Sequence, residues 1–232
     1  MKKNLIGLDR KIMKESYLIV IPARAGSKRL RNKNIRLFAG KPLIAWTIEL
    51  VSKINGKHNI IVSTEDKNIA KIAKEYGASV PFLRPSELAA DNISAVEVMK
   101  HAVLQLKFKG IVFLLQPTSP LRSIEDINKG ISLIKKNKTA VISVAKYIHN
   151  SNLTTFSKPG EKFIPISLDN RDIYVPNGAV YIAYSEWLFK NSSFYTPDVT
   201  TFEMPQLRSI DIDYEHQFLA AENIFKEIKS EK

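Results

Sequence analysis

Continuous apolar runs alternate along this chain with segments whose apolar residues recur at helical spacing. Residues 17–22 (Tyr-Leu-Ile-Val-Ile-Pro) form an unbroken apolar run and predict a buried strand. Residues 42–52 predict a helix, with Pro42 in the first turn, where a missing N–H costs nothing. Residues 59–63 predict a second strand. Ile69, Ile72, Ala73 and Tyr76 fall at i, i+3, i+4 and i+7, so 66–76 reads as an amphipathic helix ended by Gly77. Residues 80–82 read as a short extended piece. Val96, Met99, Val103 and Leu106 mark one face of a helix over 93–106. Residues 110–115 are apolar throughout. Ser123 and Asp126 have the spacing of a capping box for a helix through 135, and 140–144 reads as another strand.

Strands separated by helices predict an α/β fold with a mostly parallel sheet flanked by helices on both faces. Uninterrupted apolar strands fit that arrangement, because both of their faces are buried. From 146 to 176 the pattern loosens into scattered aromatics, Pro159-Gly160 and Pro165. This segment reads as an inserted β-rich arm, suited either to a dimer contact or to a plain surface excursion. Regularity returns with strand-like 178–183 and 207–212. A closing helix over 214–229 carries Phe218, Ala221, Phe225 and Ile228 inward. The stretch 185–200 shows no period we can assign. There is no internal repeat, so residues 17–232 read as one domain that includes the arm. Residues 1–16 read as an N-terminal extension, and Met13 is a possible alternative start.

Charge sharpens this picture. The formal net charge is 35 − 23 = +12, and the stretch 24–36 (Arg-Ala-Gly-Ser-Lys-Arg-Leu-Arg-Asn-Lys-Asn-Ile-Arg) holds six of the cations and no acid. A localised positive field draws in anions such as nucleotides, acidic sugars or nucleic acid. The absence of cysteine excludes disulfides, zinc thiolates and thiol nucleophiles. No apolar run reaches the roughly 20 residues that span a bilayer, and the first sixteen residues lack the apolar core of a signal peptide. The expectation is a cytoplasmic protein.

Ligands of open α/β sheets sit beyond the carboxyl ends of the strands, which is where the basic loop falls. Backbone N–H groups of Ala25, Gly26 and Ser27 can form an anion nest, with Arg24 and Lys28 adding charge. On charge alone, a solvated basic loop or an RNA contact fits as well. Gly40-Lys41 is not a phosphate-binding Walker loop, since residue 35 is Ile and Pro42 stands where Ser or Thr belongs. Gln116-Pro-Thr-Ser-Pro-Leu-Arg122 is stiffened by two prolines. It could hold Gln116 and Arg122 for a site, or simply be a rigid turn. Asp211 and Asp213 would share one face at a strand's end, an arrangement that suits Mg²⁺. The plainer alternative is a solvated strand end with Asp213 capping the next helix. Pro176-Asn-Gly178 is first a turn, although the Asn177 amide could reach a sugar or base. There is no G-x-S-x-G and no H-E-x-x-H, and His101 reads as a partly buried helix residue.

Together these residues resemble the acylneuraminate cytidylyltransferases (CMP-sialic acid synthetases). The resemblance is carried by Ile21-Pro-Ala-Arg-Ala-Gly-Ser-Lys-Arg-Leu-Arg-Asn-Lys-Asn-Ile35 and Gly40-Lys-Pro-Leu-Ile-Ala-Trp-Thr-Ile48. It continues through Ser63-Thr64, Arg84-Pro-Ser-Glu-Leu-Ala-Ala-Asp91, Leu115-Gln-Pro-Thr-Ser-Pro-Leu-Arg122, Pro176-Asn-Gly-Ala-Val-Tyr-Ile182 and Ile210-Asp-Ile-Asp213. It implies a Rossmann-like nucleotidyltransferase fold with a small β-rich dimerisation arm. It also implies a homodimer whose arm contributes to the partner's site. The implied reaction joins CMP from CTP to a nine-carbon 2-keto sugar acid, an N-acylneuraminate or a related legionaminate or pseudaminate. A sister nucleotidyltransferase using another nucleotide or sugar is the alternative.

The resemblance further implies roles. Arg24, Lys28, Lys33 and Asp211 would be catalytic. Ala23, Arg24, Ala25, Gly26, Ser27, Lys28, Asn34, Arg84, Asp91 and Ser94 would bind the nucleotide. Gln116, Arg171 and Asn177 would bind the sugar, and Asp211 and Asp213 would hold Mg²⁺. One departure stands out: where the family commonly carries an Arg-Gln-Asp-Leu-Pro-like stretch, this chain reads Asn170-Arg-Asp-Ile-Tyr-Val-Pro176. That leaves the sugar open. The Ser-Lys-Arg of the basic loop sets the chain apart from the Kdo-transferring cousins, whose loop resembles Ser-Thr-Arg-Leu-Pro-Gly-Lys.

Overall fold

The computed structural model describes residues 16–90, 92–147, 155–157, 164–166 and 173–230. The chain runs β1 (Ser16–Pro22), β2 (Leu37–Phe38), β3 (Lys41–Pro42), α1 (Leu43–Val51), β4 (Lys57–Ser63), α2 (Lys67–Glu75), α3 (Ala95–Leu106) and β5 (Ile111–Leu114). It continues through α4 (Ile124–Asn137), β6 (Val141–Lys146), β7 (Thr155–Ser157), β8 (Ile164–Ile166), β9 (Tyr174–Tyr184), α5 (Ser185–Lys190), β10 (Thr200–Glu203) and α6 (Glu215–Ser230).

Six strands form one sheet in the order β10-β6-β9-β5-β1-β4. β1 pairs in parallel with both β4 and β5, and β10 pairs in parallel with β6. β9 runs antiparallel to both of its neighbours. The unbroken apolar strands have the cause expected of them. In β1, Tyr17, Ile19 and Ile21 pack on one face against Ile44 and Ile48 of α1, Ile69 of α2 and Ile127 of α4. Leu18 and Val20 pack on the other face against Met99 and Val103 of α3. Because the chain leaves β1 toward β4 on one side and later returns to β5 on the other, a crevice opens at the carboxyl ends of these strands.

A third apolar cluster lies beside the sheet and supports the basic loop. Leu30 of that loop packs with Phe38, Leu121, Ile212 and Phe218 and Phe225 of α6. The β2–β3 hairpin turns through Ala39 and Gly40, both in the left-handed region (φ 47° and 84°). α6 fastens it: Glu215 receives both terminal nitrogens of Arg36 (2.6 and 2.5 Å), and Glu222 receives the Ala39 N–H (2.7 Å). Pro42 closes this hairpin and precedes α1 at its N-cap, rather than occupying its first turn. The capping box of α4 forms as expected, and the helix runs two residues past 135.

Two expectations need correction, and one unassigned stretch gains an account. Residues 207–212 are not a strand. The position beside β6 is filled by β10, and the chain after it makes a 3₁₀ turn over Gln206–Arg208 with Leu207 about half exposed. Ile212 is nonetheless fully buried, and its N–H donates to the Thr118 carbonyl (2.8 Å). The stretch 185–200, which shows no period, contains α5 and the entry to β10. Pro176-Asn-Gly178 is not a chain-reversing turn. β9 passes through it as a bulge, since Val144 faces Pro176 whereas Ile142 faces Tyr181.

Of the β-rich arm over 146–176, the structure describes its two ends and β7 paired antiparallel with β8. Lys146 pairs with Tyr174, so the arm rises from β6 and β9.

Candidate active site

Three strand ends supply the walls of one cavity. β1 delivers the basic loop. Ala23 is buried, its N–H bonded to the Ser63 carbonyl (3.0 Å), and the chain then turns outward. The buried Asn34 side chain donates to the Arg24 carbonyl (2.9 Å) and closes the loop on itself. After β4 the chain brings in Arg84 and then Ser94, which caps α3 through a capping box with Glu97. After β5 come Gln116 and Thr118. The enclosed volume is about 520 Å³, within the ~300–1,000 Å³ of ligand sites. Arg24, Lys28, Arg29, Lys33 and Arg84 face it, and among the described residues Asp213 is the one acid in its wall.

Of the expected residues, the cavity brings together Arg24, Ser27, Lys28, Lys33, Asn34, Arg84, Ser94, Gln116 and Asp213. Asp91 and Arg171 lie outside the described residues. Ala23, Ala25 and Gly26 do not line the cavity: Ala23 is buried, Ala25 half-buried and Gly26 exposed. The anion nest does not assemble as expected. The Ala25 N–H donates to a Glu65 carboxylate oxygen (2.7 Å), and the Ser27 N–H donates to the Ala25 carbonyl (2.8 Å). Two of the three backbone donors are therefore engaged within the chain.

Asn177 is also corrected. Its side chain is buried, with Oδ1 accepting from Ser143 Oγ (2.5 Å) and the Ala179 N–H (3.2 Å), and Nδ2 donating to Ser209 Oγ (3.0 Å). The Oδ1 bonds hold the β9 bulge and the Nδ2 bonds, with a further one to Met204 Sδ (3.4 Å), tie it to the chain after β10, so both polar atoms of this amide are engaged within the protein. The bulge has its own consequence. Gly178 takes a positive φ (73°), and its Cα faces the Asp211 carboxylate and the Gln116 amide.

Asp211 sits just behind the cavity wall. Burial pushes its carboxyl above the usual range and the Asp213 charge adds to this, against a Thr118 hydrogen bond and the Lys33 charge. Its Oδ1 is buried with no hydrogen-bond partner. Asp213 shifts the other way: burial would raise it, but the Lys33 hydrogen bond and charge, with Arg29, hold it below the usual range. Lys33 Nζ donates to Asp213 Oδ1 (2.8 Å) and to the Ile212 carbonyl (2.7 Å), and Arg29 Nη1 donates to Asp213 Oδ2 (2.9 Å). An orphaned buried carboxylate oxygen beside a second carboxylate is an all-oxygen donor set that suits Mg²⁺, which takes one or two carboxylates plus substrate phosphates. Among the described residues no cluster of three or more His, Cys, Asp or Glu side chains gathers as an alternative metal site.

Arg122 braces the site from inside. Fully buried, it donates to the Ala179 carbonyl (2.6 Å), Thr47 Oγ1 (3.1 Å) and the Gln116 carbonyl (3.3 Å). Burial brings its pKa down to about 10 against the opposing charge of Asp126. His101 lies behind Arg84, edge-on to Phe82 (4.9 Å), its pKa lowered by burial and by Arg84. Sequence reasoning missed Glu65, Thr118 and Arg29. Glu65 and Thr118 each follow a parallel strand at its carboxyl end, so the crevice rule could have found them.

An open sheet with a cation-lined crevice at its switch point defines an α/β enzyme that handles polyphosphates. Residues 18–229 match the family model described as Cytidylyltransferase, and the chain belongs to that family of nucleotidyltransferases. It is 39% identical over 213 residues to the CMP-N,N'-diacetyllegionaminic acid synthase of Legionella pneumophila, a match covering 84% of this chain and 90% of that protein. It is 34% identical over 217 residues to the N-acylneuraminate cytidylyltransferase of Escherichia coli O18:K1:H7, covering 87% of this chain and half of that protein. A CMP:2-keto-3-deoxy-manno-octonic acid synthetase solved with CTP has the same fold. It aligns with a TM-score of 0.71 at 16% identity, over 92% of this chain and 99% of that one.

Proposed function

We propose that this protein transfers CMP from CTP to the anomeric hydroxyl of a nine-carbon 2-keto sugar acid and releases pyrophosphate. The observation that carries the reading is the juxtaposition of five cations with Asp213 in one nucleotide-sized crevice, with the buried Asp211 just behind its wall. Both substrates are anions, so a concave positive field serves both. The new bond joins the sugar oxygen to the α-phosphorus, and the bond to the β-phosphate oxygen breaks. Such a transfer needs alignment and charge neutralisation more than a nucleophilic side chain.

Arg24 and Lys28 stabilise the charge that develops on departing pyrophosphate. Lys33, held against Asp213, stands at the junction between the phosphates and the carboxylate pair. Arg84, Asn34 and Ser94 bound the nucleotide end, and Gln116 faces the sugar end beside Gly178. Asp211 and Asp213 would hold Mg²⁺, which would supply Lewis-acid polarisation at a phosphate oxygen or at the attacking hydroxyl.

The reading extends to a homodimer in which the arm rising from β6 and β9 reaches the partner's site, with Arg171 meeting the sugar carboxylate. Exposed Tyr174 and Val175 at the arm's base suit such a contact. Nucleoside triphosphate and sugar acid point to the cytoplasm. None of the described helices is long and apolar enough to cross a membrane.

Purified protein incubated with Mg²⁺, each nucleoside triphosphate and a panel of neuraminate, N,N'-diacetyllegionaminate and pseudaminate tests the reading through pyrophosphate release. Release is expected with CTP and at least one of these acids. The 39% identical relative makes the legionaminate the first to try. Release with another nucleotide in place of CTP, or with none of the panel, contradicts the proposal.

A further inference from the structure

Glu65 touches the cavity's walls from behind. One carboxylate oxygen accepts the Ala25 N–H at 2.7 Å, and the other accepts Arg84 Nη2 at 3.1 Å. A single side chain thereby ties the first turn after β1 to the guanidinium that arrives after β4. Its own backbone sits in a rigid corner. The Ser63 carbonyl accepts the Ala23 N–H, and the Thr64 carbonyl accepts the Arg84 N–H (2.8 Å). Asp66 then caps α2 through the Ile69 N–H (2.7 Å). The carboxylate therefore projects from a fixed point.

Arg84 depends on that anchor. Its side chain is 4% exposed, its Nε has no hydrogen-bond partner, and the charge of Arg24 bears on it unfavourably. Burial works against the guanidinium charge, and Glu65 is the carboxylate that opposes burial. A buried charge that loses such a partner rearranges or draws in water.

We propose that Glu65 is a positioning residue for the nucleotide: it fixes the Ala25 turn and Arg84 in the arrangement that receives CTP, without touching CTP itself. This rests on the reading that the cavity binds CTP, and it adds a residue that acts through two of the walls.

Calorimetric titration of CTP into the full chain and its Glu65→Ala, Glu65→Gln, Arg84→Ala and Glu65→Ala/Arg84→Ala variants tests it. Glu65→Ala is expected to weaken CTP about tenfold or more, the scale of a charged hydrogen-bond partner lost. Glu65→Gln keeps one oxygen for the Ala25 N–H and falls between. In the Arg84→Ala background the Glu65→Ala loss shrinks, because the two act as a unit. In steady-state assays the KM for CTP rises while the KM for the sugar acid holds. A merely structural role would raise both. Should Glu65→Ala fail to fold, the Gln variant and its CTP affinity decide alone. Variants that bind CTP within twofold of wild type, or a Glu65→Ala loss undiminished beside Arg84→Ala, overturn the proposal while leaving the CTP reading intact. Wild-type protein that does not bind CTP overturns both.

Discussion

A β-carbon placed on Gly178 would lie 3.0 Å from Asp211 Oδ2, tighter than side chains normally tolerate. The glycine is also at φ 73°, a conformation side chains rarely adopt. Gly178→Ala should therefore push the Asp211 carboxylate from its place. The expected outcome is at least a tenfold fall in kcat with a loss of about 1–3 kcal/mol of stability, read by steady-state kinetics and thermal melts. A variant with normal kcat would show that Asp211 does not need this position.

Asp211 should show opposite effects on stability and turnover. Burial, with the Asp213 charge, raises its pKa in the folded state above its unfolded value. Such a group contributes stability that is fully present below the unfolded pKa and lost as pH rises through the folded one. At pH 7 the charge therefore opposes folding. Asp211→Asn should raise Tm at pH 7 while cutting turnover by about 10²-fold or more. A lower Tm with near-normal turnover at limiting Mg²⁺ would remove Asp211 from both roles.

Asp126 should behave in the reverse sense. Burial would raise its pKa, but hydrogen bonds from Arg208 (3.0 and 2.8 Å) and from the Ser123 cap bring it below the usual value. Its contribution is present above the unfolded pKa of about 3.9 and is lost as pH falls through the lower folded value. Asp126→Asn should lower Tm at pH 7 by the equivalent of roughly 1–3 kcal/mol. The gap to wild type should close as the pH is brought below 4. A constant gap across pH would mean that the carboxylate's charge is not what holds Arg208.

Lys33 and Arg29 hold the same carboxylate from different settings. The Lys33 side chain is 13% exposed and that of Arg29 is 59% exposed. Water and salt screen the second contact far more than the first. Lys33→Met should cost at least tenfold more in kcat/KM than Arg29→Met. Equal losses would place the working contact on Arg29.

Much of the architecture was legible because its strands are buried on both faces and its helices on one. Periodicity and apolar continuity report such burial directly. Residues 207–212 misled because an alternating apolar stretch need not pair with a sheet: Ile212 is buried under α6 while Leu207 points out. Asn177 misled because a Pro-Asn-Gly that makes a turn and one that makes a bulge read alike. Only the facing Ser143 shows which way the amide is used. The basic loop was legible from its charge. The crevice rule could place Glu65 near the site, but its role was not legible, because a lone acid after a strand gives no sign of which amide or guanidinium it will meet across the crevice.

The central claim is that the crevice beyond β1 and β5 seats CTP between the basic loop and the aspartate pair. A crystal structure of the protein soaked with CTP and Mg²⁺ tests it most directly. The account predicts triphosphate oxygens against Arg24 and Lys28, with the ion on Asp211 and Asp213. CTP bound elsewhere, or seated there with its phosphates turned away from the basic loop, would contradict it.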